Sequence, residues 1–558
     1  MPKRSPLVAL LAALAALLLL PAFATAQGAG SSEPLVVVSG AGNSATVRNF
    51  NPFSQTAMFC NANCAYEPLM IINGITGEIV PWLATEYEFS ADATRLTLKL
   101  RQGVRWSDGE PFTADDVVFT FTMLRDNPGF QHPAANAMAP QTGYVDSVRA
   151  LDSHTVEFTF KRPFSLAIYD LLETNIVPEH IWAQIENPAA YTNESPVGTG
   201  PFTEIVNFTP EQYEVHRNPY YWQADKVRFG GFKVIQGLSA DAQSLAIING
   251  QYDWTGAPIP DLDAVYVSKD PQNRGYFFPQ TANGVGLLLM TEKAPFNDAN
   301  VRKAISMAID RELIVDIAMM GYTKPADVTG LSDYFASWKV ENPRSLGTWT
   351  EYNVAEANRL LDAAGLRMQR GVRVLADGTP MEYRLAVVGH FLNQVTAADI
   401  IVQNLAAIGI RATVTPMSFG ELFQALMVGN FDMALFCTGG NTPYAFYRSQ
   451  MSATTYAPAG QPAFFGNYVR YVNSEADALL ARWAGTINPA EQREIAQQLQ
   501  RLYAENAPAI PLYYQPSWLI YKTDRFTGFP TAENPYAIGS PDSNNTNMLL
   551  VITQLRPR

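Results

Sequence analysis

Basic residues are few and, past the first positions, never clustered: 39 Lys and Arg stand against 52 Asp and Glu, for a formal charge of −13. Phosphate backbones need a basic face, so nucleic acid is excluded as a partner. Cysteine is scarcer still. Three in 558 residues allow at most one disulfide and one free thiol, which rules out a scaffold built on bridges. Five scattered histidines form no metal-ligand spacing, and there is no HExxH, GxSxG or phosphate loop. No metal, cofactor or catalytic residue is therefore assigned. Carboxylates distant in sequence can still meet in space, which keeps a secreted glycoside hydrolase as the alternative of another class. Internal repeats and low-complexity linkers are absent too. Charged residues make up 16% and hydrophobic ones 47%, the composition of a filled globular protein too long for one core.

A long uninterrupted apolar run occurs at the start, from Leu7 to Leu20, after Lys3 and Arg4 and before Ala24-Thr25-Ala26. This is the pattern of a signal peptide over residues 1–26, cleaved before Gln27; an uncleaved anchor is the alternative. No cysteine follows the cleavage site, so a soluble periplasmic protein is expected, and not a lipid-anchored one. Cys60 and Cys64 in FCNANC can close a small loop, with two free thiols as the alternative. Cys437 ends an apolar strand and reads as a small buried hydrophobe.

Pro34–Val38 reads as an edge strand, followed by the loop RNFNPFS at 48–54. Leu96, Leu98 and Leu100 alternate with polar residues in a half-buried strand; Asp108-Gly109 turns the chain, and Thr113 with Asp116 predicts a capping box opening a helix. In VGTGPF, 197–202, a tight turn into a strand is expected. Val285 to Met290 is short, apolar and continuous, as a strand covered on both faces is. Asn297 or Asp298 then caps a helix whose stripe runs through Val301, Ala304, Ile305, Ala308, Ile309 and Leu313. Residues 353–437 alternate helix and strand, with Asn353 as one helix cap. Asn488-Pro489 opens a helix to Tyr503, and the apolar run Ile510 to Tyr521 follows.

Four passages resemble one family. LTLKLRQGVRWSDGEPFTADDVVF, VGTGPF, RNPYYW at 217–222 and APFNDANVRKAISMAIDRE are similar to the corresponding motifs of the family 5 extracytoplasmic solute-binding proteins. That family includes the oligopeptide-, dipeptide- and oligosaccharide-binding components of ABC importers. The resemblance spans nearly all of the mature chain. It implies an α/β, two-lobed periplasmic-binding-protein type II fold (class C) with an extra subdomain in the first lobe. Lobe I is expected to comprise 34–70, 196–289 and 515–558, the extra subdomain 71–195, and lobe II 290–514, with the hinge near Met290 and Tyr513. It further implies a monomer that captures a solute in the cleft and hands it to a membrane permease.

Aromatic side chains carry the ligand expectation, since nine Trp and 25 Tyr supply stiff faces on which sugar C–H groups pack. Trp254, Trp338, Tyr444 and Tyr447 lie in loops that follow or join strands, where ligands of two-lobed α/β proteins sit, and are the expected stacking faces. Asn51 and Asn441 are the expected hydrogen-bonding groups. In the peptide-binding branch the loop after the Cys437 strand usually carries an Asp that pairs with the peptide amine. Here it reads Thr438-Gly439-Gly440-Asn441-Thr442-Pro443, without an acid. A buried ammonium needs such a partner, so a neutral ligand is expected. The wording Pro443-Tyr444-x-x-Tyr447 resembles the cello-oligosaccharide-type branch of the family, which implies a cello-oligosaccharide-like ligand, with oligopeptide or dipeptide as the alternative. Asp333 and Asp432 are the candidate acids to stand in for the missing one.

Overall fold

The computed structural model describes residues 33–38, 47–54, 57–60, 62–127, 129–130, 132–463, 466–541 and 545–558; the expected signal peptide lies outside them.

The strand Arg95–Leu100 buries its three leucines and exposes Arg95 and Lys99, as its alternation requires. It lies inside a four-stranded antiparallel sheet, beside Ala84–Phe89 and Thr155–Phe160, with Val145–Asp152 beyond. The helix Ala114–Asp126 packs on this sheet. Its capping box forms as expected: Thr113 accepts from the Asp115 N–H at 3.3 Å, and Asp116 accepts from the Thr113 N–H at 2.9 Å. This unit is the extra subdomain.

The first lobe is built on a seven-stranded sheet in the order Arg274–Phe277, Leu519–Lys522, Trp254–Thr255, Pro34–Val38, Gly231–Ile235, Gln212–Arg217, Phe202–Val206. Pro34–Val38 is therefore interior and not an edge strand. It runs parallel to Gly231–Ile235 and, through Val37, to Trp254. Leu35 and Val37 are fully buried, and Pro34 is tolerated because it occupies the first position. The helix Asn547–Gln554 returns to this core, where Met548, Val551 and Ile552 join Leu35, Val37 and Trp254.

Lobe II holds a five-stranded sheet in the order Arg411–Met417, Glu382–Val388, Met433–Thr438, Gln280–Leu289, Ile510–Pro516. The first three run parallel, and Gln280–Leu289 is antiparallel to both of its neighbours. The strand placed at the end of lobe I by its sequence is thus a central strand of lobe II. An apolar run buried on both faces looks the same in either sheet. The crossings lie at Phe278-Pro279 and Ser517-Trp518, earlier and later than expected, and the Ser517 N–H donates to the Pro279 carbonyl at 2.7 Å. Asp298 caps the following helix, Ala299–Met307, but the single helix expected to Leu313 is two. Asp310 caps the second, Arg311–Ala318, and Leu313 is exposed.

Two local features brace lobe I. Cys60 and Cys64 are bridged, and Gly198 and Gly200 press against the backbone beside that loop: a Cβ there would lie 1.8 Å from the Ala65 carbonyl oxygen and 2.0 Å from that of Cys64. The buried Glu67 carboxylate accepts from Trp82 Nε1 at 2.6 Å, Trp222 Nε1 at 3.0 Å and the Tyr221 hydroxyl at 3.1 Å. It joins the RNPYYW segment to the first turns of the extra subdomain. Burial pushes this carboxyl up to about 7, with its donors pulling the other way.

Candidate functional site

The extra subdomain and lobe II meet along a seam. The Ser165 N–H donates to the Ala484 carbonyl at 2.8 Å, Ser165 Oγ to the Trp483 carbonyl at 3.2 Å, and Gln492 Nε2 to Ser165 Oγ at 3.2 Å. Above it opens a slot of about 340 Å³, walled on one side by Tyr87 and Tyr169 and on the other by Tyr334, Phe335, Trp338 and Asn441. Tyr87 points outward from the strand Ala84–Phe89. Tyr169 rides the short helix Ala167–Leu171, and Tyr334 and Phe335 come from the single turn Asp333–Phe335.

Trp338 is half-buried, its ring 5.4 Å from Trp483 and tilted 31° to it, and its carbonyl accepts from Gln500 Nε2 at 2.9 Å. Asn441 is exposed and donates from Nδ2 to the Tyr169 carbonyl across the seam at 3.1 Å. Tyr444 is half-buried beside the slot, between Phe164 at 6.2 Å and Trp483 at 5.9 Å. The structure therefore brings Trp338, Asn441 and Tyr444 together where the lobes meet.

The other three expected residues lie elsewhere. Trp254 is fully buried in the lobe I core and donates from Nε1 to the Gly539 carbonyl at 2.7 Å. Tyr447 is fully buried in lobe II and donates to the Thr329 carbonyl at 2.9 Å. Asn51 is fully buried and donates to the carbonyls of Pro188 and Tyr191 at 2.9 and 2.8 Å. Each polar tip is bonded inside the protein, as buried polar groups are, so these three brace loops and cores instead of facing the slot. Cys437, expected to be buried, opens onto a neighbouring cavity. Sequence reasoning missed Tyr87, Tyr169, Tyr334 and Phe335. The outward position of Tyr87 in an alternating strand was the available signal for one of them.

No carboxylate lines the slot among the described residues; the charged side chain there is Arg493, whose Nε donates to the Ser337 carbonyl at 3.3 Å. The two candidate replacements for the missing Asp are occupied. Burial opposes the charge of Asp333, yet its bond from Lys324 and the nearby charge of Lys339 hold it below the usual carboxylate range. Asp432 pairs with Lys293 at 3.0 Å. Of the acids near the slot, Asp170 is pushed up to about 6 by burial and accepts from the Tyr144 hydroxyl at 3.0 Å. Glu173 is pushed up likewise and accepts from the Ile72 N–H at 3.2 Å. The turn itself is closed to an acid at Gly440, where a Cβ would lie 2.9 Å from the Phe446 nitrogen. No group of His, Cys, Asp and Glu among the described residues is arranged to hold a metal, and none of the described helices is long and apolar enough to cross a membrane.

Comparison with known proteins places this geometry. The family model for bacterial extracellular solute-binding proteins, family 5 Middle, matches residues 78–458. Di/tripeptide-binding protein 2 of Pseudomonas aeruginosa is 24% identical over 530 residues, 89% of this chain and 92% of its own. The periplasmic oligopeptide-binding protein of an oligopeptide ABC transporter from Thermotoga maritima is 23% identical and superposes with a TM-score of 0.83, covering 94% of this chain and 99% of that one. Its mannohexaose-bound form superposes with a TM-score of 0.76 over the same shares.

Proposed function

Because the chain belongs to the bacterial extracellular solute-binding proteins, family 5, and so serves as the substrate-binding component of an ABC importer, we propose that its cargo is an oligosaccharide of the cello-oligosaccharide type. It binds and does not convert its ligand. The observation that carries the sugar reading is the slot between the lobes, flanked by Tyr87, Tyr169, Tyr334, Phe335, Trp338 and Asn441, with no carboxylate among its described lining residues to meet a peptide's ammonium. Rings pack on the C–H faces of sugars, and amide and hydroxyl groups match their hydroxyls. In the structurally similar Thermotoga protein, the bound molecule is a mannohexaose.

Ligand enters between lobes that bend about Phe278-Pro279 and Ser517-Trp518, and binding raises the population of the closed form, which docks on the permease as a monomer. Location in the periplasm follows from the leader expected at 1–26.

The relatives named for di- and tripeptides favour the second reading, a peptide cargo. Titration calorimetry with cello-, xylo- and manno-oligosaccharides against tri- to pentapeptides decides between them. Heat from sugars alone supports the proposal; heat from peptides alone ends it.

A further inference from the structure

Where the chain crosses between the lobes, each lobe sends one aromatic side chain into the other. Tyr322 belongs to lobe II by sequence: the helix Arg311–Ala318 precedes it, and soon after it the Ala326 N–H donates to the Leu512 carbonyl at 3.0 Å, in the strand Ile510–Pro516. Its ring nevertheless joins an apolar cluster whose other described members, among them Ile259, Leu262, Tyr266 and Tyr276, all lie in lobe I. The Leu262 N–H, at the start of the short lobe I helix Leu262–Val265, donates to the Tyr322 hydroxyl at 2.9 Å. Trp518, the first lobe I residue after the second crossing, does the reverse and packs on the lobe II core that holds Leu512 and Tyr513. Phe278, the last residue before the first crossing, sits between them: its ring is 5.2 Å from Tyr322 and 4.7 Å from Trp518, edge-on to both.

Tyr322 is anchored from both lobes. Met320, two residues before it, is left-handed at φ 57°, a conformation that crowds a residue with a Cβ and costs roughly 1–2 kcal/mol, so it persists only where the surroundings impose it. Lobe II imposes it here: the Gly321 N–H donates to the Val315 carbonyl and the Tyr322 N–H to the Met319 carbonyl, each at 3.0 Å. On the lobe I side, an N–H at the start of a helix has no carbonyl in its own turn to bond, and the Tyr322 hydroxyl fills that place for Leu262. Gly256 lets the crossing chain come close, since a Cβ there would lie 2.3 Å from the Trp518 carbonyl oxygen. Neither Tyr322 nor Trp518 is among the residues that wall the slot, so contact with cargo there does not explain them.

We infer that Tyr322 is a positioning residue for cargo capture, the bearing about which the two lobes turn. This rests on the reading that the lobes bend about Phe278-Pro279 and Ser517-Trp518 to close on cargo. Two strand crossings alone make a soft joint, free to slide as well as to rotate. A ring seated in the opposite core beside the crossings moves little when the lobes rotate. It resists sliding, because a slide drags the phenol out of its cluster and breaks its bond to Leu262. The bearing thus restricts the motion to rotation, and rotation in register is what brings Tyr87 and Tyr169 on one wall of the slot opposite Trp338 and Asn441 on the other.

Spin labels on the two lobes test this without cargo. The parent protein is the full mature chain carrying C437S, which removes the free thiol, with L245C on lobe I and L392C on lobe II, both at exposed positions. Pulsed electron paramagnetic resonance then reads the distribution of distances between the lobes. Without cargo that distribution should be about 1.5-fold broader in Y322A than in the parent, and Y322F, which loses only the bond to Leu262, should lie between them. A residue that merely fills a core would lower the temperature of thermal unfolding and leave this width alone. Saturating xylotetraose and trialanine are then added separately, and closure appears as a shorter mean distance. Whichever probe closes the parent should bind Y322A about five-fold more weakly by calorimetry, since the looser joint has more freedom to lose. A Y322A distribution no broader than the parent's overturns the bearing, whatever the probes do; if Y322A does not fold, Y322F decides alone by the same criterion. If Y322A broadens the distribution but neither probe shortens the mean distance, the bearing stands and closure on those cargoes falls.

Discussion

Replacing Glu67 by Gln keeps the size and one acceptor of a side chain that receives three donors, and it removes a titrating group from the joint between lobe I and the extra subdomain. The folded carboxyl titrates near 7 and the free one at 4.5, so the folded state holds its proton more tightly. A raised carboxyl of this kind adds stability that is whole below 4.5 and lost as pH rises through 7. Integrated from pH 5.5 to 8, the loss is about 2 kcal/mol for the wild-type protein. E67Q lacks this term. Burial holds His132 down to about 4, so His132 contributes stability that is lost as pH falls from 6.5 through 4; because both proteins carry it, it cancels in their difference. Urea unfolding of both proteins at several pH values measures that difference directly. E67Q should gain about 2 kcal/mol on the wild type between pH 5.5 and 8. A difference that stays flat with pH, or that favours the wild type as pH rises, refutes the account.

Three further outcomes follow from the slot and its supports. W338A, which removes the indole between the slot and Trp483, should weaken oligosaccharide binding by about 1–2 kcal/mol, a rise in Kd of roughly five- to thirty-fold by calorimetry, with little change in Tm. N441D places a carboxylate on the turn at an exposed position where Gly440 has no room, and it should raise affinity for trialanine about ten-fold by calorimetry. G200A drives a methyl group to within 2.0 Å of the Cys64 carbonyl oxygen and should cost about 2–4 kcal/mol in urea unfolding, lowering Tm without changing the cargo preferred.

Signals that act within three or four residues were legible. Thr113, Asp298, Asn353 and Asn488 all cap the helices that follow them, because a cap bonds backbone only a turn away and needs no knowledge of the rest of the chain. Assigning a strand to a sheet is different. Gln280–Leu289 carries an apolar run that either lobe would bury, and its pairing with Ile510–Pro516 is decided by residues far along the chain. The same limit separates Trp338 from Trp254. Both follow irregular stretches, but whether an indole faces a gap or a core depends on the layer lying over it, here Phe232 and Phe529 for Trp254. Tyr87 and Tyr169 escaped notice because the wall they complete comes from the opposite lobe.

The two sheets differ in how much of the chain each must wait for. Every strand of the five-stranded sheet lies between residues 280 and 516, whereas the seven-stranded one needs Leu519–Lys522 between Trp254–Thr255 and Arg274–Phe277, and its core needs the closing helix Asn547–Gln554. A polypeptide threaded through a membrane from its amino end would therefore finish its later half first. Leu35, Val37 and Trp254 would stay uncovered until the last forty residues or so had emerged. A truncation near residue 517 should leave a folded carboxyl-terminal body joined to a sticky, protease-sensitive amino-terminal one, so limited proteolysis of such a fragment should yield the second lobe intact.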